Sequence, residues 1–179
     1  MKKQIAPLAI LLIGIALFAT SCERKSKNEL YTGPYHDPVP EEMRLERDMY
    51  LNRINNLVNN RNLEEAALLC DTLERICPQS PVCFMTGGII SHKLNDSIQS
   101  KQRLTRAKEI YDSLIVEHND SRDMQNNLLV IRTLHGKEVA KAALEEYMER
   151  GLHELDTLQL SLFQHIVNTD ESLLDEIWD

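Results

Sequence analysis

The sequence predicts an all-α protein. Apolar residues recur at three- and four-residue spacing through successive segments, no segment alternates with period two long enough for a strand, and no proline follows Pro81. The 179-residue chain is one domain of ordinary size at most. With 28 Asp and Glu against 20 Lys and Arg and no dense basic block, it is not built to bind nucleic acid, and four cysteines are too few for a disulfide scaffold.

The N-terminal end comes first. Lys2 and Lys3 precede an apolar run from Ile5 to Ala19, which is shorter than the about 20 residues that span a bilayer and is followed by small polar residues. Residues 1–21 therefore read as a secretory signal peptide. The stretch from Leu17 to Cys22, LFATSC, resembles the lipobox of bacterial lipoproteins, with Ala19 where Leu is usual, as in the relaxed lipoboxes of Bacteroidetes-like lipoproteins. The resemblance implies cleavage before Cys22, a diacylglyceryl thioether on its sulfur and an acylated amine, so covalent lipid of the palmitate kind is the only bound group expected. Several acyl chains at about 0.8 kcal/mol per buried methylene would hold the protein to a membrane permanently. Loss of Lys2 and Lys3 makes the mature chain more acidic than the net charge of −8 for the whole. Ten of the acids lie between Glu145 and Asp179, where Arg150 is the only Arg or Lys.

Residues 22–39 are polar, rich in Pro and Gly, and without apolar periodicity. They read as a tether of about 18 residues, able to span about 55 Å if extended at about 3.1 Å per residue. Surface-exported lipoproteins of this kind typically carry acids just after the lipidated Cys. Here Glu23 is followed by Arg24, Lys25 and Lys27, so the expected location is lipid-anchored at the outer membrane, facing the periplasm.

Helices follow in order through 40–155. Pro40, Glu41 and Glu42 open the first, and Met43, Tyr50, Ile54, Leu57 and Val58 line one face until Asn59 and Asn60. Asn62 and Glu65 read as a capping pair for a second, with Leu63, Ala66, Ala67, Cys70, Leu73 and Ile76 inward and Pro78 and Pro81 ending it. A third is expected from Val82 to about Leu94, with Gly87 and Gly88 allowing close packing. A fourth runs from Ser97 to His118 with Leu104, Ala107, Tyr111, Leu114 and Ile115 inward. A fifth is expected from Met124 to Leu134, and a sixth from Lys137 to Gly151 with Val139, Ala140, Ala143, Leu144 and Tyr147 inward. Residues 156–179 read as short acidic capping helices, the first carrying Leu158, Leu162, Phe163 and Ile166 and the second Trp178.

The pairing of these helices resembles tetratricopeptide repeats. Ala66, Cys70, Leu73 and Pro78 fall at that family's spacing through a second helix and its exit turn, and Tyr50, Ile54 and Leu57 at its first-helix spacing. Phe84, Gly88, Ala107, Tyr111 and Leu114 make a second unit interrupted by an insertion, and a third runs from about Arg122 to Arg150 with Gly136 at its turn. The resemblance implies an α-solenoid of stacked antiparallel helical hairpins, in which small residues let paired helices approach and larger ones fill the gap to the next pair. A generic bundle of amphipathic hairpins would share much of this pattern.

Catalytic motifs are not evident. The six histidines show no metal-ligand spacing, His153 and Glu154 do not extend to HExxH, and neither GxSxG nor a P-loop occurs. The expectation is a non-enzyme with neither metal nor cofactor beyond the lipid on Cys22. Cys77 and Cys83 flank the turn from Pro78 to Val82 and would either bridge across it in an oxidising periplasm or stay as thiols; Cys70 reads as a buried small hydrophobe. Basic residues between Lys93 and Lys108 are either a solvated face or a complement to acid elsewhere. Asn52, Asn55, Asn56 and Asn59, with Asn126 and Asn127 in the third unit, are candidate peptide contacts, because an amide side chain both donates and accepts; they would equally serve as solvent-facing residues. The function that follows from the resemblances is a membrane-anchored scaffold holding a protein or peptide partner in the cell envelope. The alternative is an accessory glycan-binding lipoprotein or small envelope enzyme, although three Phe, one Trp and five Tyr offer little platform for sugars.

Overall fold

The computed structural model describes residues 30, 31 and 33–169, and these are all-helical. Seven α-helices are present among them: α1 (Glu41–Asn59), α2 (Leu63–Ile76), α3 (Pro81–Lys93), α4 (Ser97–His118), α5 (Ser121–His135), α6 (Lys137–Glu149) and α7 (Thr157–Asn168). Cys22 and Trp178, with the signal peptide and the second capping helix, lie outside the described residues.

The helix boundaries have local causes. Arg61, Asn95 and Asn119 take left-handed φ values of 60°, 61° and 53° in the turns after α1, α3 and α4, as do Gly136 and Gly151 after α5 and α6. Pro81 occupies the first turn of α3, where its missing N–H has no intrahelical partner to lose. Asp96, Asp120 and Asp156 cap α4, α5 and α7 with their side chains, Asp156 in a reciprocal capping box with Gln159. Asp120 explains why α5 begins at Ser121, three residues earlier than expected: its carboxylate accepts from the Arg122 N–H at 2.9 Å and starts the helix at once. The Asn62–Glu65 pair forms, but side chain to side chain at 2.8 Å, without a bond to the backbone of α2.

Each helix packs on its neighbours in sequence, and α7 folds back onto both α5 and α6. The core runs along the array as three adjoining clusters. Ile54, Val58, Ala66, Cys70, Leu73, Cys77, Cys83 and Ile90 fill the first three helices; Ile89, Leu104, Ala107, Tyr111 and Val130 join α3, α4 and α5; Met124, Leu128, Ala140, Tyr147, Phe163 and Ile166 close the far end. Two residues expected inward face out: Leu158 is 71% exposed on α7 and Val139 is 48% exposed on α6. Each sits just off its helix's buried stripe, beside residues that already fill the core.

Glycine sets the closest approach. A Cβ on Gly88 would lie 2.7 Å from Leu104 Cγ, so α3 and α4 meet at a separation only glycine allows. A Cβ on Gly87 would run into the Glu74 carboxylate of α2.

The described part of the expected tether is packed on the body. Leu30 and Val39 are buried, the Tyr31 N–H donates to the Asn119 carbonyl at 3.0 Å, and Asp37 accepts from Arg47 of α1 at 2.6 Å. Residues 30, 31 and 33–39 therefore form a strap laid across the body, with Leu30 in the cluster at the far end and Val39 in the cluster around α1.

Candidate functional site

An open groove of about 430 Å³ lies over α5 between α4 and α6. Ile115, Val116, Ile131, Val139, Ala142 and Ala143 supply apolar surface, and Lys108, Asp112, Glu146 and Arg150 the charged margins. Val116 is 73% exposed, so with Val139 it offers apolar side chains that the fold itself does not cover. The margins are organised within their own helices: Lys108 Nζ meets Asp112 at 2.7 Å, and Arg150 Nε meets Glu146 at 3.1 Å. Such a site suits an apolar side chain or two from a partner flanked by polar backbone and charge.

Asn127 belongs to the frame of this groove and not to its surface. It is fully buried, and its amide donates to Asp112 Oδ1 at 2.7 Å and to the Tyr147 hydroxyl at 2.9 Å, tying α5 to both walls. Its reading as a direct peptide contact is therefore corrected: the side chain has no exposed surface and its NH2 group is taken up by Asp112 and Tyr147. Burial, the largest cause, and the neighbouring Asp112 and Glu146 push the Tyr147 phenol upward, so it stays a neutral hydrogen-bonding group. Asn126 is half-buried on α5.

Asn52, Asn55, Asn56 and Asn59 are all exposed along α1. Leu45 and Met49, 73% and 65% exposed, continue that face toward the helix start. This second surface is separate from the groove, since α1 packs on α2 and the groove is built from α4, α5 and α6.

The basic run on α4 does not form a patch. Arg103 turns inward with its side chain 9% exposed, pairing with Asp71 and, at 2.9 Å, with Glu74 of α2, while donating to Ser91 Oγ of α3 at 2.6 Å. Arg106 pairs with Glu109 at 3.0 Å on the surface. Arg103 is thus a tie across three helices.

Cys70, Cys77 and Cys83 are buried and stand as free thiols. Burial pushes the Cys70 and Cys83 thiols up to about 12, so neither is a nucleophile at neutral pH. A thiol count on the unfolded, unreduced protein with Cys22→Ser is expected to give three; a count of one would establish the Cys77–Cys83 bridge instead.

Among the described residues no cluster of His, Cys, Asp and Glu could hold a metal ion, and no helix is long and apolar enough to cross a membrane. Comparison of the chain with protein-family models, curated proteins and solved structures finds no match. Sequence reasoning missed the groove because its surface comes from three helices. The available signal was the apolar Val116 and Val139 standing beside residues that already filled the core stripe.

Proposed function

We propose that this chain is a lipoprotein of the cell envelope, anchored at the outer membrane through lipid on Cys22 and facing the periplasm, and that its helical hairpins act as a tetratricopeptide-like interaction scaffold without enzymatic activity. The partner is a protein segment or peptide that inserts apolar side chains between α4 and α6. The observation that carries this reading is the groove, with its two uncovered valines and paired charges at the margins. Burial of Ala66, Cys70, Leu73, Ala107, Tyr111, Ala140 and Tyr147 is what stacked hairpins need, and it supports the repeat reading in the same way that it would any helical bundle.

Two measurements test it. Labelled fatty acid is expected in the protein and absent from Cys22→Ser; incorporation in neither would remove the anchor. Photo-crosslinking residues at Val116 and Val139 in intact cells are expected to trap one envelope protein that Lys101, exposed elsewhere on α4, does not trap. Absence of any adduct above background at both valines would sink the groove reading, and an adduct from Asn55 alone would move the site to α1. Millimolar or tighter binding of a glycan by the purified protein would favour the glycan-binding alternative.

A further inference from the structure

The strap is held by a buried acidic cluster that the interaction reading does not use. Tyr35 donates its hydroxyl to Asp123 Oδ1 at 3.1 Å, and Arg122 lies 5.2 Å from the centre of the Tyr35 ring while donating to the Gly33 carbonyl at 2.8 Å. Arg122 also pairs with the fully buried Asp120 at 2.5 Å. Asp123 is itself fully buried, and its second oxygen, Oδ2, has no hydrogen-bond partner. A carboxylate placed so is costly to ionise, and the strap residues are part of what buries it.

We propose that the strap is a proton-dependent latch with Asp123 as its switch: the neutral acid seats it on α5, and the ionised acid loosens it. The groups facing Asp123 are Tyr35 and Asp37 from the strap, Asp120 and Arg122 at the start of α5, and Tyr111 of α4. Burial first, then Asp120, raises Asp123 from its ordinary 3.8 to about 7, against the opposing pull of Tyr35 and Arg122. Released from the strap, the same residue loses the share of its burial that the strap supplies, so its upward push weakens while Asp120 stays beside it.

The direction follows from proton linkage. Between the lower value of the released acid and the seated value of about 7, the seated strap holds a proton that the released one has lost. Seating therefore weakens about tenfold for each unit of rising pH across that window and levels off above it. The rings of His36 and His118 also stack where the strap meets the end of α4, with centroids 4.3 Å apart. Where the chain is anchored at Cys22, release would let the body move further from the membrane.

Hydrogen exchange of the strap amides from Leu30 to His36, normalised for intrinsic rate and compared with amides of α4 and α5, reads seating in the whole purified protein. Strap protection is expected to fall from pH 5 to pH 7 by up to about fiftyfold, with the helix amides still protected. Asp123→Asn, a permanently neutral isostere, is expected to give a flat, protected strap over the same range. A strap equally protected at both pH values, or more protected at pH 7, would overturn the proposal, as would Asp123→Asn with the wild-type slope. Tyr35→Phe gives a second reading that does not depend on the Asn variant folding. Loss of a hydrogen bond to the ionised acid should move the levelling-off point to higher pH, and an unmoved point would count against Asp123. None of these readouts involves the groove or its partner, so the latch and the scaffold fail separately.

Discussion

Arg103→Met is expected to cost about 3 to 5 kcal/mol of folding stability, read from urea unfolding. The guanidinium is nearly buried and joins three helices, through Asp71 and Glu74 of α2 and through Ser91 of α3. Asp71 is half-exposed and can recover its hydration, but the Glu74 side chain is only 16% exposed and would be left beside apolar neighbours without its counter-ion. Burial already raises Glu74 above its usual range, opposed mainly by Arg103. Removing Arg103 strengthens that upward shift. A carboxyl whose folded pKa is raised contributes less stability as pH rises from its unfolded value through its folded one, so the deficit of Arg103→Met should be larger at pH 7 than at pH 5. Adding Glu74→Gln removes the stranded charge and should recover a substantial part of the loss at neutral pH. If the single variant is as stable as the wild type, the tie is an ornament of the surface rather than a strut of the fold.

Gly88→Leu is expected to cost about 3 kcal/mol or more by the same measurement, since overpacking of this kind forces backbones apart. The contact it disrupts, α3 against α4, is the most extensive between any two helices here. Even Gly88→Ala places a carbon 2.7 Å from Leu104 Cγ, near the base of a branched side chain that cannot swing clear. Its gain of about 1 kcal/mol in helix propensity offsets only part of that strain. Pairing Gly88→Leu with Leu104→Ala exchanges the bulk across the interface, and the double variant should lose less than the two singles added together. Strict additivity would show that Gly88 and Leu104 do not limit how closely the helices approach.

The helices were largely legible in the sequence because their cores are periodic. Ala66, Cys70 and Leu73, or Leu104, Ala107, Tyr111 and Leu114, stand at spacings that put them on one side of a helix, and all are buried. The expected span of α4 agrees with the observed one because Asp96 caps its start and Asn119 turns its end. The strap was not legible. Leu30, Tyr35 and Val39 form no period, and the partners of the first two, Gly151 and Asp123, lie far along the chain. A segment held by single long-range contacts has the same composition as a free linker. The candidate site divides similarly. The Asn face of α1 is exposed as its polarity suggested, whereas Asn127 is buried because its partners Asp112 and Tyr147 come from two other helices.

The route of the strap also decides where a mechanical load would enter the molecule. Tension applied at the N-terminal end would not peel α1 away first. It would pull on Leu30, seated beside Gly151, and on the Tyr31–Asn119 bond, so the force would meet the fold at the junctions after α4 and α6. The first hairpin, α1 with α2, hangs behind that point and would feel the pull only after those contacts had given way. Were the chain tied to a surface at that end, the half of it most remote in sequence from the tie would be the part that bears the strain.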